Sequence, residues 1–266
     1  MSAQLAFALA SRGYEVGLLD LDICGPSIPR MLGVEHEAVA SSSKETGWEP
    51  ILALPNLCVM SVGLLLDDRD GAVVLRGPRK QVLIGQFLND TNWGALDFLL
   101  VDCPPGTSDE HLSIAQLLQK SAALDGALIV TTPQEMALLD VRKELSFCAK
   151  AEIGVLGIVE NMAGLSCPSC GQGIQLFPPN TGGAKQLAAD SGFELLGRLP
   201  VDSKLTRAAE RGVSLAEAAG TGSSAAAKPL QSFADAFLGR FAATAGADPT
   251  QRATTTRADR LLPRPV

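Results

Sequence analysis

Three short segments bring chemistry-bearing side chains to the ends of apolar runs. Glu15-Val-Gly-Leu-Leu-Asp20-Leu-Asp22-Ile-Cys-Gly25-Pro26-Ser27 passes from β-prone residues into two carboxylates and a Gly-Pro turn. Leu99-Leu-Val-Asp102-Cys-Pro-Pro-Gly106-Thr-Ser-Asp-Glu-His111 repeats the pattern. Cys167-Pro-Ser-Cys170 follows a third apolar run and the loop Glu160-Asn161-Met162-Ala163-Gly164. In an open α/β sheet, ligands bind in the crevice outside the carboxyl ends of the strands. Carboxylates there are hard oxygen donors that suit Mg²⁺ beside a nucleotide phosphate. Asp102 is placed to hold the metal and Asp22 to orient an attacking water. Gly106 lets a backbone N–H approach an anion closely. Asp20 either ties down its loop or belongs to the strand. The plainer alternative for each segment is a strand followed by an ordinary turn.

The cysteine pair makes half of a site. Zinc and [4Fe–4S] clusters each want four ligands, and the chain has no second close pair. A symmetric dimer would set two pairs face to face and complete four thiolates. A zinc knuckle, a redox pair and structural thiols are the alternatives. Asn161, at the end of an apolar run, can read a purine edge by donating and accepting together, or can simply form a turn. Pro200-Val-Asp202 can flank the same base, or Asp202 or Ser203 can cap the next helix. Arg76-Gly-Pro-Arg-Lys80 either faces an anion or is a solvated basic turn. His36 and His111 stand alone and read as ligands of nothing.

No G-x-x-x-x-G-K-[ST] phosphate loop occurs in the sequence. Met1 to Arg12 reads as an amphipathic helix carrying Leu5, Phe7 and Leu9 among alanines. The expectation is a chain that starts inside the helix following such a loop, with the preceding strand also missing.

The elements that must position these residues follow from periodicity. Apolar runs near 15–20, 58–62, 97–102, 126–131, 154–160 and 194–198 read as strands. Helical patterns fall near 2–12, 79–90, 108–120, 137–149, 182–191, 203–211 and 227–241. Their alternation predicts an α/β fold, a doubly wound, mostly parallel sheet with helices on both faces. One domain is expected over residues 1–241. Residues 35–50 read as an exposed excursion, 219–227 as a flexible link, and 242–266 as a disordered tail.

Composition narrows the function. The chain is 46% hydrophobic, with a net charge of −7 and a sequence pI near 4.9. That balance argues against a general nucleic-acid binder. No apolar run reaches the roughly 18 residues of a membrane span, and no secretory or organellar leader is evident. The six cysteines do not form a secreted disulfide framework, so a reducing, cytoplasmic setting is expected. Cys24, Cys58, Cys103 and Cys148 are expected to be mostly buried and to form no second metal site. Cys167 and Cys170 are expected in a partly exposed loop.

Taken together, several segments resemble the Mrp/nucleotide-binding-protein ATPases, a MinD-like group with a deviant phosphate loop. The resemblance rests on Asp20-Leu-Asp-Ile-Cys-Gly-Pro-Ser-Ile-Pro29, Arg76-Gly-Pro-Arg79, Asp102-Cys-Pro-Pro-Gly-Thr-Ser-Asp-Glu-His111, Thr131-Thr-Pro-Gln134, Val159-Glu-Asn-Met162 and Cys167-Pro-Ser-Cys170. Their order and spacing make it specific over roughly residues 2–215. Within the family, the eukaryotic cytosolic iron–sulfur cluster assembly scaffolds are the branch most like this chain. The resemblance implies a homodimer, or a heterodimer with a paralogous subunit. It would hold a labile [4Fe–4S] cluster and pass it to apo iron–sulfur proteins, without nucleic acid or membrane. It puts Asp22 in the first switch, Asp102 at the Mg²⁺ position and Gly106 near the terminal phosphate. Asn161, Pro200 and Asp202 fall at the adenine, and Cys167 and Cys170 at the bridging cluster.

The departures bear on activity. The family's Gly-Lys-Gly-Gly-Val-Gly-Lys-Ser loop would directly precede Ser2, and the branch's N-terminal four-cysteine motif is missing as well. Weak ATP binding and little turnover are therefore expected, because the anion cradle and its charge neutralisation go together. The alternatives are a MinD/ParA-like nucleotide switch without a cluster, or an inactive truncated product. In the family the missing strand lies between the runs at 97–102 and 126–131. Those two strands are thus expected not to pair, and to stand roughly 9–10 Å apart, two strand spacings.

Overall fold

Residues 2–10 contain alanine, leucine and phenylalanine with no proline or glycine, and they form α1 (Ser2–Ala10). Eight of its nine residues are buried, Gln4 among them, so the helix is enclosed on more sides than the amphipathic reading predicts. The computed structural model describes residues 1–40, 47–66, 77–107, 109–120, 124–166, 172–178, 180–220 and 224–245. It divides into two compact units, residues 2–124 with 209–214, and residues 125–208 with 215–248.

In the first unit α1 leads into β1 (Val16–Asp20), whose five residues are all buried. A short α2 (Ile28–Met31) follows, then β2 (Ile51–Leu54) and β3 (Leu57–Ser61). Next come α3 (Gly77–Asn89), β4 (Phe98–Asp102) and α4 (Asp109–Lys120). The sheet order is β2-β3-β1-β4. β1 runs parallel to β3 and to β4, while β2 pairs antiparallel with β3. Side chains alternate across a strand. Leu19 therefore packs with Met60, Ile84, Phe87, Ile114 and Leu118 in a core shared with α3 and α4. Leu18 points to the other face, and α1 lies against β1, β3 and β4.

The second unit opens with β5 (Ala127–Thr131) and α5 (Glu135–Lys150), followed by β6 (Val155–Glu160). Two two-residue strands, β7 (Leu165–Ser166) and β8 (Gly173–Ile174), pair antiparallel as a hairpin. After them come α6 (Gly183–Ser191), β9 (Leu195–Arg198), α7 (Ser203–Arg211), α8 (Leu215–Ala219) and α9 (Ala227–Ala245). β5, β6 and β9 form a parallel three-stranded sheet in that order. Ile129, Leu138, Val141, Ile158 and Leu187 build its core with α5 and α6. On the other face α9 packs on β6 and β9. That approach requires Gly197, where an added Cβ would stand 2.9 Å from Phe233 Cβ.

The six expected strands and seven expected helices are all present. β4 is bonded to β1 in the first unit, and β5 to β6 in the second. Other expectations need correction. Residues 35–50 are not simply an exposed excursion: Trp48 packs on Phe87 and bridges Thr91, and Val39 joins the core cluster. The stretch 219–227 is anchored at its end, where Ala226 is buried and donates its N–H to Asp202. The expected tail lies outside the described residues from 246 onward, and α9 runs four residues past the expected end. Cys24 and Cys103 are exposed where burial was expected, because both follow strand ends in loops; Cys58 and Cys148 are buried.

Candidate functional site

Parallel pairing of β1 with β4 puts Asp20 and Asp102 at the same level, as register partners at the carboxyl ends. Leu21 N–H donates to Asp102 O at 2.9 Å, extending the pairing one residue beyond the strand. The two carboxylates have different surroundings. Asp20 is 1% exposed. Its Oδ2 accepts from Ser61 Oγ at 3.0 Å and from Ile28 N at 3.4 Å, and its Oδ1 accepts from Asp22 N at 3.1 Å. Ser61 Oγ in turn accepts from Gly63 N and caps the 3₁₀ turn Val62–Leu64. Asp20 is thus the knot that ties the loop 21–28 to β3. Burial pushes its carboxyl up to about 6, with a further push from the Asp102 charge. The Ser61 hydroxyl and the backbone N–H groups oppose the rise.

Asp22 and Asp102 are the half-buried members of the set. Asp22 Oδ1 accepts from Gly25 N at 3.1 Å, which folds the Cys24-Gly25 turn back over it. Asp102 Oδ1 accepts from Ser2 Oγ at the start of α1. Gly106 takes φ +89, and nothing lies within 4 Å of where its Cβ would be. The left-handed backbone requires glycine there and leaves an open face. A half-exposed carboxylate is an oxygen donor of the kind Mg²⁺ takes, and the open glycine four residues on leaves room for an anion. Lys80 at the start of α3 donates to Cys24 Sγ at 3.5 Å, so the basic turn partly faces the first carboxylate loop. Arg76 lies outside the described residues.

The second unit holds the other sequence-expected residues. Asn161 N–H donates to Thr131 O at 2.8 Å, and Asn161 Oδ1 accepts from Met162 N at 3.0 Å. Its oxygen therefore serves the turn, in which Met162 adopts φ 57. Asp202 caps α7, accepting from Lys204 N at 2.8 Å on Oδ1. Its Oδ2 accepts from Ser224 Oγ at 2.7 Å and from Ala226 N at 3.1 Å. Burial would raise its carboxyl, but these hydrogen bonds outweigh it and hold it below the usual range. Asp202 is thus an anchor whose oxygens are engaged, and it fixes Pro200 and Val201 just ahead of α7.

Cys167 and Cys170 lie outside the described residues, but what frames them does not. β7 ends at Ser166, one residue before Cys167, and Ser166 pairs with Gly173 of β8. In sequence the cysteine pair falls between the two strands of this hairpin. That hairpin is joined by main-chain bonds to the Asn161 and Pro200 segments. Ala163 N–H donates to Leu199 O at 2.9 Å, Val201 N–H donates to Gly164 O at 2.7 Å, and Leu165 bridges Val201. A groove of about 340 Å³ runs between them, lined by Gly164, Leu165, Ile174, Gln175, Arg198 and Pro200 among others. Arg198 is held by buried Glu160, with Nε and Nη2 both 2.7 Å from its Oε1. Glu160 Oε2 also accepts from Ala184 N at the start of α6. Among the described residues no group of three or more His, Cys, Asp or Glu side chains is placed to hold a metal ion.

Sequence reasoning missed the Glu160–Arg198 pair and the β7–β8 hairpin. The first had a signal, a Glu and an Arg each closing an apolar run. The second had none, since two-residue strands show no period.

The geometry matches known proteins. The family described as ParA, NUBPL iron-transfer P-loop NTPase, matches residues 1–238. The cytosolic Fe-S cluster assembly factor NUBP1 homolog of Caenorhabditis elegans is 53% identical over 213 residues, covering 80% of this chain and 67% of that protein. The Brugia malayi protein of the same name is 54% identical over 213 residues, covering 80% of this chain and 68% of its own length. Among solved structures, a nucleotide-binding protein from Archaeoglobus fulgidus in complex with ADP superposes with a TM-score of 0.68 and 37% identity, over 81% of each chain. MinD from Pyrococcus horikoshii with Mg-ADP shares the fold at a TM-score of 0.58 and 20% identity, over 88% of this chain and 87% of that one. The parallel sheets, the paired carboxylates and these matches together show that the chain belongs to the NUBPL-type iron-transfer P-loop NTPase family.

Proposed function

We propose that this protein is a cytosolic iron–sulfur cluster assembly factor. It holds a labile [4Fe–4S] cluster as cargo between the Cys167/Cys170 pairs of two subunits and delivers it to apo-proteins. The observation that carries this reading is the Cys167-Pro-Ser-Cys170 pair itself, which falls in sequence between the paired strands β7 and β8. Two thiolates per subunit, paired about a two-fold axis, supply the four that a [4Fe–4S] cluster takes. The partner is a second copy or a paralogous subunit. The names of the NUBP1 homologs support the cargo and the cytosolic setting.

A nucleotide is the second ligand of this reading. Asp102 would hold Mg²⁺, which supplies charge neutralisation at the phosphates when bound. Asp22 would orient a water, and Gly106 would bring its N–H to the terminal phosphate. Asn161 and Pro200 would flank the base, and Asp202 would act by fixing Pro200. The ADP in the Archaeoglobus fulgidus structure supports a nucleotide on this fold. The main-chain bond from Val201 N–H to Gly164 O would couple the base to the strand that precedes the cysteine pair.

Anaerobic reconstitution with iron and sulfide tests the reading. A broad visible absorption band should form, and an apo iron–sulfur protein should acquire it on mixing. Cys167→Ser with Cys170→Ser should abolish both. A MinD-like switch without cargo would give no band in the unaltered chain.

A further inference from the structure

At the amino ends of β1 and β3, opposite the carboxylate loops, the first unit carries a groove of about 440 Å³. Its walls include Leu52, Leu96, Trp93 and the base of Cys58, and its only charged lining groups among the described residues are Glu15 and Glu49. The groove is built. Trp93 packs on strand β1 at Gly17, where a Cβ would stand 3.0 Å from the indole Cε3, and its Nε1 donates to Phe87 O at 3.3 Å. Glu49 is steadied by Asn92 Nδ2, 3.1 Å from both carboxylate oxygens. Leu52 is 66% exposed on the edge strand. An apolar floor, an indole wall and two carboxylates select an apolar segment that carries cations.

The chain contains such a segment. Between Arg252 and Val266 it has four arginines, Arg252, Arg257, Arg260 and Arg264, against one carboxylate side chain, Asp259, although the whole chain is at −7. Arg260 and Arg264 bracket Leu261-Leu262-Pro263. Pro263 and Pro265 restrict two φ angles, which lowers the entropy lost on ordering. Leu261 lies 16 residues beyond Ala245 at the end of α9, a reach of about 50 Å when extended. We propose that the groove at Trp93 is the docking site of the chain's own Arg257–Val266 segment. Leu261 and Leu262 enter between Leu52, Trp93 and Leu96, and the flanking arginines face Glu15 and Glu49.

The test uses the full chain with Leu262 replaced by the photo-cross-linker p-benzoylphenylalanine. Irradiation should give intrachain cross-links concentrated at residues 49–57 and 92–96. High salt should lower the yield several-fold, since exposed ion pairs are screened. Arg260→Glu with Arg264→Glu should lower it likewise, as should Glu15→Gln with Glu49→Gln. The tail variant changes no groove residue, so the outcome stays readable if the groove variant unfolds. Cross-links spread over the surface, formed only between two chains, or insensitive to the tail charges would overturn the proposal.

Discussion

Asp20 and Asp102 are register partners across β1 and β4, yet one is sealed beneath the loop it organises and the other stands half-open beside Ser2. Identical side chains at matched positions thus differ in burial and in hydrogen-bond partners. The difference comes from Ser61, whose hydroxyl reaches Asp20 from β3, on the other side of β1 from β4.

The sealed carboxylate gives a pH signature. Asp20 titrates at about 6 in the folded chain, against 3.8 for the ordinary group, chiefly because of burial. Between about pH 4 and about pH 6 the folded state keeps a proton that the unfolded chain has released. Stability should therefore fall as pH rises through that window, by up to roughly 1.4 kcal/mol per pH unit, and level off above it. Asp20→Asn should remove this slope. Urea midpoints measured across the window check it, and an unchanged slope in the variant would contradict it.

The half-open carboxylates should govern metal-dependent nucleotide binding. Charge-assisted contacts contribute about 1.5–3 kcal/mol each. Asp102→Asn should thus weaken Mg-ADP binding by roughly tenfold or more, and should also erase the difference between titrations with Mg²⁺ and with EDTA. Asp22→Asn should leave Mg-ADP affinity largely unchanged, because its assigned task is to orient a water. Calorimetry that finds Asp102→Asn as Mg²⁺-dependent as the unaltered chain would refute the assignment.

The bond from Val201 N–H to Gly164 O joins the Pro200 segment to the residue ahead of β7. Val201→Pro deletes that donor at a cost of about 1 kcal/mol. The expected result is a shorter-lived reconstituted cluster with far-UV circular dichroism unchanged. Equal decay of the visible band under a chelator in both proteins would show that the bond plays no part.

Gly197 should tolerate no side chain. Gly197→Val drives a Cβ into Phe233, which is fully buried, and overpacking of this kind costs about 1–3 kcal/mol. Phe233→Ala is destabilising alone, but should recover part of the loss in the double variant. Additive losses in a thermal-unfolding cycle would rule out the clash.

Much of this was legible in the sequence because a buried strand has to end somewhere, and here the ends carry Asp20, Asp102, Glu160 and Arg198. The resemblance to a known family reached further than the periodicity alone. Other features were not legible. Asp20 and Asp22 are both carboxylates after one apolar run, and only the β1–β3 register, with Ser61 across from Asp20, decides which is buried. β2 alternates half-buried with exposed positions, but its four residues are too few to separate a strand from a turn. Asn161 and Asp202 each admitted a ligand role and a structural one. In the fold Asn161 Oδ1 accepts from Met162 N, and the Asp202 oxygens accept from Lys204 N, Ser224 Oγ and Ala226 N, partners that no spacing in the sequence announces.

The central claim is a cluster shared through Cys167 and Cys170, and native mass spectrometry of the anaerobically reconstituted protein tests it most directly. The account predicts a dimer carrying about four iron and four sulfide, and an apo species once both cysteines are changed to serine. A monomer with a single bound metal ion, or a cluster that survives the double substitution, would contradict it.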